Sequence, residues 1–213
     1  MTHTLYRKGD RPSLEEDYIL LMTPAQEVNV EGSEEKIRQA WEVISHYQAD
    51  LSNFGNSRDG NSHRTTLEAL RKGKYHFLHA VFKNREPLKA CLQELKERNY
   101  GISVVVSGLY YEVRKVCEEV GLTPHTVAHS LGIHGKTERL PDDLTLEITT
   151  MCGHGIVSSH LVKKMVEGII EGRLTHSEAA REISRVCDCG VFNAYRAEKL
   201  LRNMISQKRK SDE

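Results

Sequence analysis

The sequence has no net charge and no long apolar run, and both absences narrow its function. Its 213 residues carry 30 Lys and Arg against 30 Asp and Glu, so no overall field attracts nucleic acid or anionic lipid. No run approaches the roughly 18 apolar residues of a membrane span. The charged residues Arg7, Lys8, Asp10 and Arg11 precede no signal-like apolar stretch. We therefore expect a cytoplasmic protein without a membrane or nucleic-acid partner.

Aromatic residues are also scarce, at 6% of the chain, whereas hydrophobic residues make up 38%. This balance allows a core with few large rings and excludes a chain that is disordered throughout. One core commonly spans roughly 100–200 residues. We expect an α/β domain over residues 1–155, a helical C-terminal region over 156–207 packed on it, and a frayed charged tail over 208–213.

Strand and helix patterns alternate through the first two thirds of the chain. The segments that predict strands are 18–31 (one or two strands), 75–82, 102–106 and 144–148, and helices are predicted near 33–44, 86–99, 109–120, 157–171, 175–186 and 193–204. The polar stretch 52–63 predicts a mobile loop. The fold class is therefore α/β, with a mixed or parallel sheet of four to five strands, flanking helices and a helical C-terminal third.

The five cysteines, an odd number, do not form the disulfide framework of a secreted protein. Cys91 and Cys117 lie on apolar helical faces, where a free cysteine behaves as a small hydrophobe, and we assign them to the core. Cys152, Cys187 and Cys189 instead lie at glycine-bearing junctions near helix starts. A helix N-terminus offers free amides and a positive dipole end, which stabilise a thiolate.

These junctions supply the candidate metal ligands, which are Cys152, Cys187, Cys189 and, optionally, His154. Three glycines accompany them as candidate cofactor-binding residues: Gly153, Gly155 and Gly190. Glycine lets the backbone turn so that neighbouring side chains or amides face one centre. If the two helix starts face each other, the donors converge on a site of tetrahedral type.

Two metal chemistries fit such a donor set. A zinc ion with three Cys and one His is closed and structural, whereas a cubane iron-sulfur cluster held by three Cys leaves one iron open or bound by His. Junctions that donate amides to sulfur and adjacent polar groups that resemble a pocket favour the cluster slightly. Cysteines that merely lie near helix ends, without a metal, remain the alternative.

A second group of candidates precedes the first cysteine block. Pro124 predicts a short helix with His125 and His129 on one face, a spacing that can bind metal, although exposed or hydrogen-bonded histidines are the commoner outcome. His134 and Lys136 lie in a glycine-flanked loop suited to an anionic substrate. We expect this loop to wall the cavity above the metal, with these four side chains as the candidate catalytic residues.

The strings 144–155 and 187–193, with the helix between them, resemble a family of uncharacterised bacterial and archaeal proteins that carry the same MCGHG and CxCGxFN blocks. The similarity covers roughly the last third of the chain. No activity of that family is established, so the resemblance implies that the two blocks form one site and implies no reaction.

Two function hypotheses follow. In the first, the chain is a redox or lyase-type enzyme, or an accessory to one, with an iron-sulfur cluster that acts on a small anionic substrate. In the second, it is a non-enzymatic protein that binds a small ligand or a partner and whose last third is held by zinc. The bases of 208–210 are too few to predict nucleic-acid binding. The sequence leaves open whether copies assemble into a homo-oligomer.

Overall fold

The computed structural model of the protein describes residues 4–211. Its strands are Tyr18–Thr23 (β1), Leu51–Asn56 (β2), Gly60–Asn61 (β3), Leu78–Phe82 (β4) and Ser103–Ser107 (β5). Its α-helices are Arg11–Leu14 (α1), Ser33–Ser45 (α2), Leu67–Lys72 (α3), Arg85–Arg98 (α4), Tyr110–Glu119 (α5), Asp143–Thr149 (α6), Ser159–Ile170 (α7), His176–Arg185 (α8) and Ala194–Ser211 (α9). The predicted α/β class, with flanking helices and a helical C-terminal third, is confirmed.

The five strands form one sheet in the order β3-β2-β4-β1-β5, and every neighbouring pair is antiparallel. The strand direction therefore differs from the expected mixed or parallel arrangement. The unit β4-α4-β5 does connect two strands that run in the same direction, as strand-helix alternation predicts. However, β1 lies between them and pairs with both in the opposite direction.

Helices cover both faces of this sheet. Alternate residues of β1 point to opposite sides, so that Tyr18, Leu20 and Met22 join the core under α2, α3, α4 and α5. Ile19 and Leu21 join a second core, which contains buried residues of α6, α7, α8 and α9. Because β1 is buried on both faces, its sequence is a continuous apolar run without polar alternation. No helix within residues 4–211 is long and apolar enough to cross a membrane.

Residues 144–148 form a helix, so the prediction of a strand there is wrong. Asp142 caps α6, because its carboxylate accepts the backbone N–H of Thr145 at 2.9 Å. Leu144 and Ile148 lie one helical turn apart and both contact the second core. Apolar residues at positions i, i+2 and i+4 fit either element over so short a stretch, and the acidic cap decides for the helix.

The predicted loop 52–63 is also wrong, since most of it forms β2 and β3. Its asparagines Asn53, Asn56 and Asn61 are fully buried. The second strand expected near Val28 is absent, and Val28 itself is 79% exposed. The tail expected to fray from 208 remains helical through Ser211, while Asp212 and Glu213 lie outside the described residues.

Candidate metal-thiolate site

The cysteines divide between the two faces of the sheet. Cys91 is fully buried in the core under α2 to α5, and burial raises the pKa of its thiol. Cys117 is half-buried on α5. Cys152, Cys187 and Cys189 are buried free thiols in the second core, beside the helical C-terminal third. Only these three lie in the segments that the sequence marks as ligand blocks.

The two cysteine blocks fold into similar turns. The backbone N–H of Gly155 donates to the carbonyl of Cys152 at 2.9 Å, and that of Gly190 donates to the carbonyl of Cys187 at 3.1 Å. Both glycines are left-handed, with φ of 71° and 76°. Each turn therefore carries soft donors at its first and third positions. Its fourth residue is a glycine in the left-handed conformation, which other residues rarely adopt.

The donors of the two turns meet. The first-position thiols, Cys152 and Cys187, are close enough to interact, and this interaction raises the pKa of Cys152. Sγ of Cys187 lies 4.0 Å from Sγ of Cys189, and Sγ of Cys189 lies 3.7 Å from Nδ1 of His154, its third-position counterpart. The structure thus brings together all four of the predicted ligands, from segments more than 30 residues apart in sequence.

The four donors touch in succession, as a row, and do not surround one point. Cys187 contacts both Cys152 and Cys189, and Cys189 contacts His154. Over the described range 4–211, no three or more His, Cys, Asp or Glu side chains are placed as a ready metal site. Binding one ion here would require these side chains to turn toward a common point.

Backbone N–H groups of the residues that follow each glycine lower the pKa of the neighbouring thiols. The hydrogen bond to Cys187 and burial raise the pKa of Cys152, against the N–H groups of Ile156 and Val157. The hydrogen bond from Cys187 lowers the pKa of Cys189, and the N–H of Val191 lowers it further, against burial. The site therefore stabilises a thiolate at Cys189 in particular.

The bond from Cys152 lowers the pKa of Cys187, but the bond to Cys189 and burial outweigh it and raise that pKa to about 11. Cys187 thus keeps its proton at neutral pH.

Side chains distant in sequence hold the second turn by its carbonyl oxygens. The pairs are Asn61 Nδ2 with Cys187 O at 2.9 Å, His79 Nδ1 with Cys189 O at 2.8 Å, Arg7 Nη2 with Val191 O at 2.6 Å and Asn53 Nδ2 with Phe192 O at 2.9 Å. These bonds hold the carbonyl oxygens of the turn toward the sheet and the N-terminal segment. The N–H groups of the same turn are then available to the sulfurs.

The tautomer of His79 follows from its bond to Cys189. A carbonyl oxygen only accepts, so Nδ1 of His79 carries the proton and Nε2 is the acceptor nitrogen of the ring. His79 is 7% exposed, and burial lowers its pKa, which keeps the ring neutral at physiological pH.

Gly190 brings the second turn close to the sheet. A Cβ at this position would lie 2.5 Å from the carbonyl oxygen of Phe54 on β2. Glycine is therefore required both by the left-handed backbone and by the approach to β2. At Gly155 only the left-handed backbone requires glycine, because a Cβ there would meet nothing within 4 Å.

A buried ionic network follows the second turn directly. Asp17 accepts two hydrogen bonds from Nη1 of Arg7, at 2.9 and 2.8 Å, one from Nη1 of Arg196 at 3.2 Å and one from Asn193 at 3.0 Å. Asp17 and Arg196 are each 1% exposed. Asn193 also caps α9, since its Oδ1 accepts the backbone N–H of Arg196. The network ties the end of the turn to the N-terminal segment.

Two cavities border the donors from different sides. One, of about 390 Å³, is lined by Cys152, Gly153 and Gly155 together with residues of α6 and the start of α7. The other, of about 210 Å³, is lined by Cys189, His154 and His79. The row of donors therefore lies between two openings.

The histidine-rich segment before the first block is placed differently from the prediction. Residues 123–129 form no helix, so the expected face shared by His125 and His129 is wrong. His125, His129, His134 and Lys136 are all exposed, and none of them lines either cavity. The ring of His129 packs edge-on against that of Tyr110, with 4.9 Å between the ring centroids. Nε2 of His134 donates to the carbonyl of Leu131. Their predicted catalytic roles stay predictions.

The sequence did not mark the side chains that hold the second turn. Asn53 and Asn61 occur in a Gly- and Asn-rich stretch that is typical of a surface loop. His79 occurs in the predicted strand 75–82, whose pattern does not mark it as a partner of the turn. A local pattern carries no signal for these roles, because the partners lie more than 100 residues away in the chain.

Comparison of the chain with known proteins gives no matching family model, no matching curated protein and no matching solved structure. The resemblance to the family with MCGHG and CxCGxFN blocks therefore stays a prediction.

Proposed function

We propose that the chain is a metal-binding protein whose ligands are Cys152, Cys187, Cys189 and His154. The observation that supports this most strongly is the meeting of two similar turns, each with donors at its first and third positions. Two paired turns supply four donors, which is the number that a tetrahedral ion takes. Backbone N–H groups beside the sulfurs favour the anionic thiolates that such an ion needs.

The spacing of the donors favours a single ion. Ligands at about 2.3 Å for sulfur and about 2.0–2.1 Å for nitrogen put tetrahedral S–S and S–N edges at about 3.8 and 3.6 Å. The distances of 4.0 Å between Cys187 and Cys189 and 3.7 Å between Cys189 and His154 are close to these values. At these two edges a zinc ion would need little change in the separation of the donor atoms.

The site is built to do more than stabilise the fold. Its second turn is already held by Asn53, Asn61, His79 and Arg7, and the thiols belong to a large apolar core. Structural zinc usually supplies the folding energy that a small core lacks. Here His154 is exposed and borders a cavity, so it is the ligand that an incoming molecule would replace.

A second candidate is an iron-sulfur cluster of a redox or lyase-type enzyme. The 210 Å³ cavity beside Cys189 and His154 favours it, because a cluster held by three Cys leaves one iron for His or for substrate. Each thiolate would then bind a different iron, so the sulfurs would have to move apart from their present contacts. The carbonyl bonds that hold the second turn oppose that movement.

Purification without oxygen, followed by metal analysis and visible absorption, tests the proposal. A single-ion site predicts about one zinc per chain and a colourless protein, whereas iron with sulfide and a broad brown absorbance would select the cluster. The matched control is Cys117→Ser, which changes a thiol outside the site. A protein that retains no metal under these conditions would overturn both candidates.

A further inference from the structure

The smaller cavity has an open mouth and a buried floor. Ser57 and His154 are exposed at its rim, whereas Cys189 and His79 are 4% and 7% exposed. The side of Cys189 that contacts His154 therefore faces a space that solvent can reach. A volume of about 210 Å³ is below the roughly 300–1,000 Å³ of pockets for drug-sized ligands, so only a small molecule fits.

The lining of this cavity is polar but carries no acidic residue, lysine or arginine. Thr23 and Ser57 present hydroxyl groups, and His79 and His154 present imidazoles. The bond from Nδ1 of His79 to the carbonyl of Cys189 fixes this ring beside the cavity. Phe77 and strand β1 provide the apolar part of the wall. Such a lining suits hydrogen bonding to a molecule without a full charge.

The neighbouring sulfurs also disfavour an anion. Three thiolates around a divalent ion carry net negative charge, and the described lining offers no fixed cation to offset it. Burying an unpaired carboxylate or phosphate beside them would cost more than burying a neutral polar group. His134 and Lys136, which were expected to neutralise an anionic substrate, do not line the cavity.

We propose that this cavity binds a small uncharged molecule with a hydroxyl, carbonyl or amide group, held beside Cys189 and His154. The inference deepens the proposed function, on which its location at a metal centre rests. The expected ligand is therefore a small neutral molecule and not the small anionic substrate predicted from the sequence.

Fluorine NMR with a matched pair of probes tests the class of ligand. Trifluoroacetamide and trifluoroacetate have nearly the same shape and differ in charge. With the protein as purified, the fluorine signal of trifluoroacetamide should broaden, and the effect should saturate as the probe concentration rises. Trifluoroacetate should bind on the order of tenfold more weakly, or not at all. Equal or tighter binding of trifluoroacetate, or no binding of either probe, would overturn the proposal.

Two variants locate the binding. Ser57→Phe blocks the mouth and should abolish amide binding, whereas Ser159→Phe, the same change beside the larger cavity, should leave it intact. Thr23→Leu provides a second blocking variant if the first unfolds. Amide binding that survives both blocking variants contradicts the assignment. Metal analysis of the same samples separates this result from the proposed function, because blocking the mouth leaves the metal ligands unchanged.

Discussion

Two glycine-bearing segments, one with cysteines and one with histidines, have very different surroundings in the fold. The turn 187–193 is buried apart from Asp188, and side chains from the sheet and the N-terminal segment hold its carbonyls. Residues 123–140 are exposed throughout and contain no α-helix. Residue types alone marked both segments for chemistry. The comparison teaches that donors become a site where distant partners fix the backbone that carries them.

Serine substitutions at the ligands should have the largest effect in this comparison. Cys152→Ser, Cys187→Ser and Cys189→Ser should each remove the metal, because a hydroxyl is a poor replacement for a thiolate ligand. Cys91→Ser should retain the metal while losing about 1–3 kcal/mol of stability through its buried hydroxyl. Metal content per chain is the measurement, and equal content in all variants would contradict the ligand assignment.

Replacing Asp17 should break the buried ionic network that supports the turn 187–193. Asp17→Ala leaves the guanidinium groups of Arg7 and Arg196 buried without their carboxylate, so we expect a loss of about 3–5 kcal/mol in the free energy of unfolding. The control is Asp188→Ala, which breaks an exposed pair with Arg64 and should cost about 0–1 kcal/mol. Similar losses from the two changes, measured by denaturant unfolding, would show that the network is not what holds the turn.

Alanine substitution at one left-handed glycine in each segment compares how much stability the two segments lose. Gly190→Ala should cost about 2–4 kcal/mol, since it adds a contact with the Phe54 carbonyl to the strain of a positive φ. Gly132 has a φ of 83° with nothing within 4 Å of an added Cβ, so Gly132→Ala adds only the strain of the positive φ and should cost about 1–2 kcal/mol. Thermal or denaturant unfolding gives both values. A Gly132 variant as unstable as the Gly190 variant would remove the distinction between the segments.

The smallest effect is expected in the exposed segment. His134→Ala combined with Lys136→Ala should change the free energy of unfolding by less than about 0.5 kcal/mol. Metal content and trifluoroacetamide binding should also stay at the level of the unmodified protein, because neither side chain lines the cavities. Loss of probe binding in this double variant would restore the segment as a wall of the site.

The sequence predicted the elements whose signals are local. The helices α4, α7 and α8 have strong apolar periodicity, and the capping box of Thr175 with Glu178 starts α8 as expected. The role of Cys91 in the core also follows from the local pattern of apolar residues.

What the sequence could not predict depends on contacts between distant residues. The position of β1 between β4 and β5 makes the sheet antiparallel, and no local pattern records it. Asn53 and Asn61 look like loop residues until carbonyls of the second turn occupy their amides. The short stretch 144–148 is a different case, because it fits both periodicities and the local cap at Asp142 decides for the helix.

X-ray absorption at the edge of the bound metal tests the central claim most directly, because it reports the ligands themselves. The proposed site predicts a first shell with about three sulfur ligands near 2.3 Å and one nitrogen near 2.0–2.1 Å, unchanged in Cys117→Ser and reduced by one sulfur in any site variant that still holds metal. A shell of nitrogen and oxygen without sulfur would contradict a metal centre at Cys152, Cys187 and Cys189.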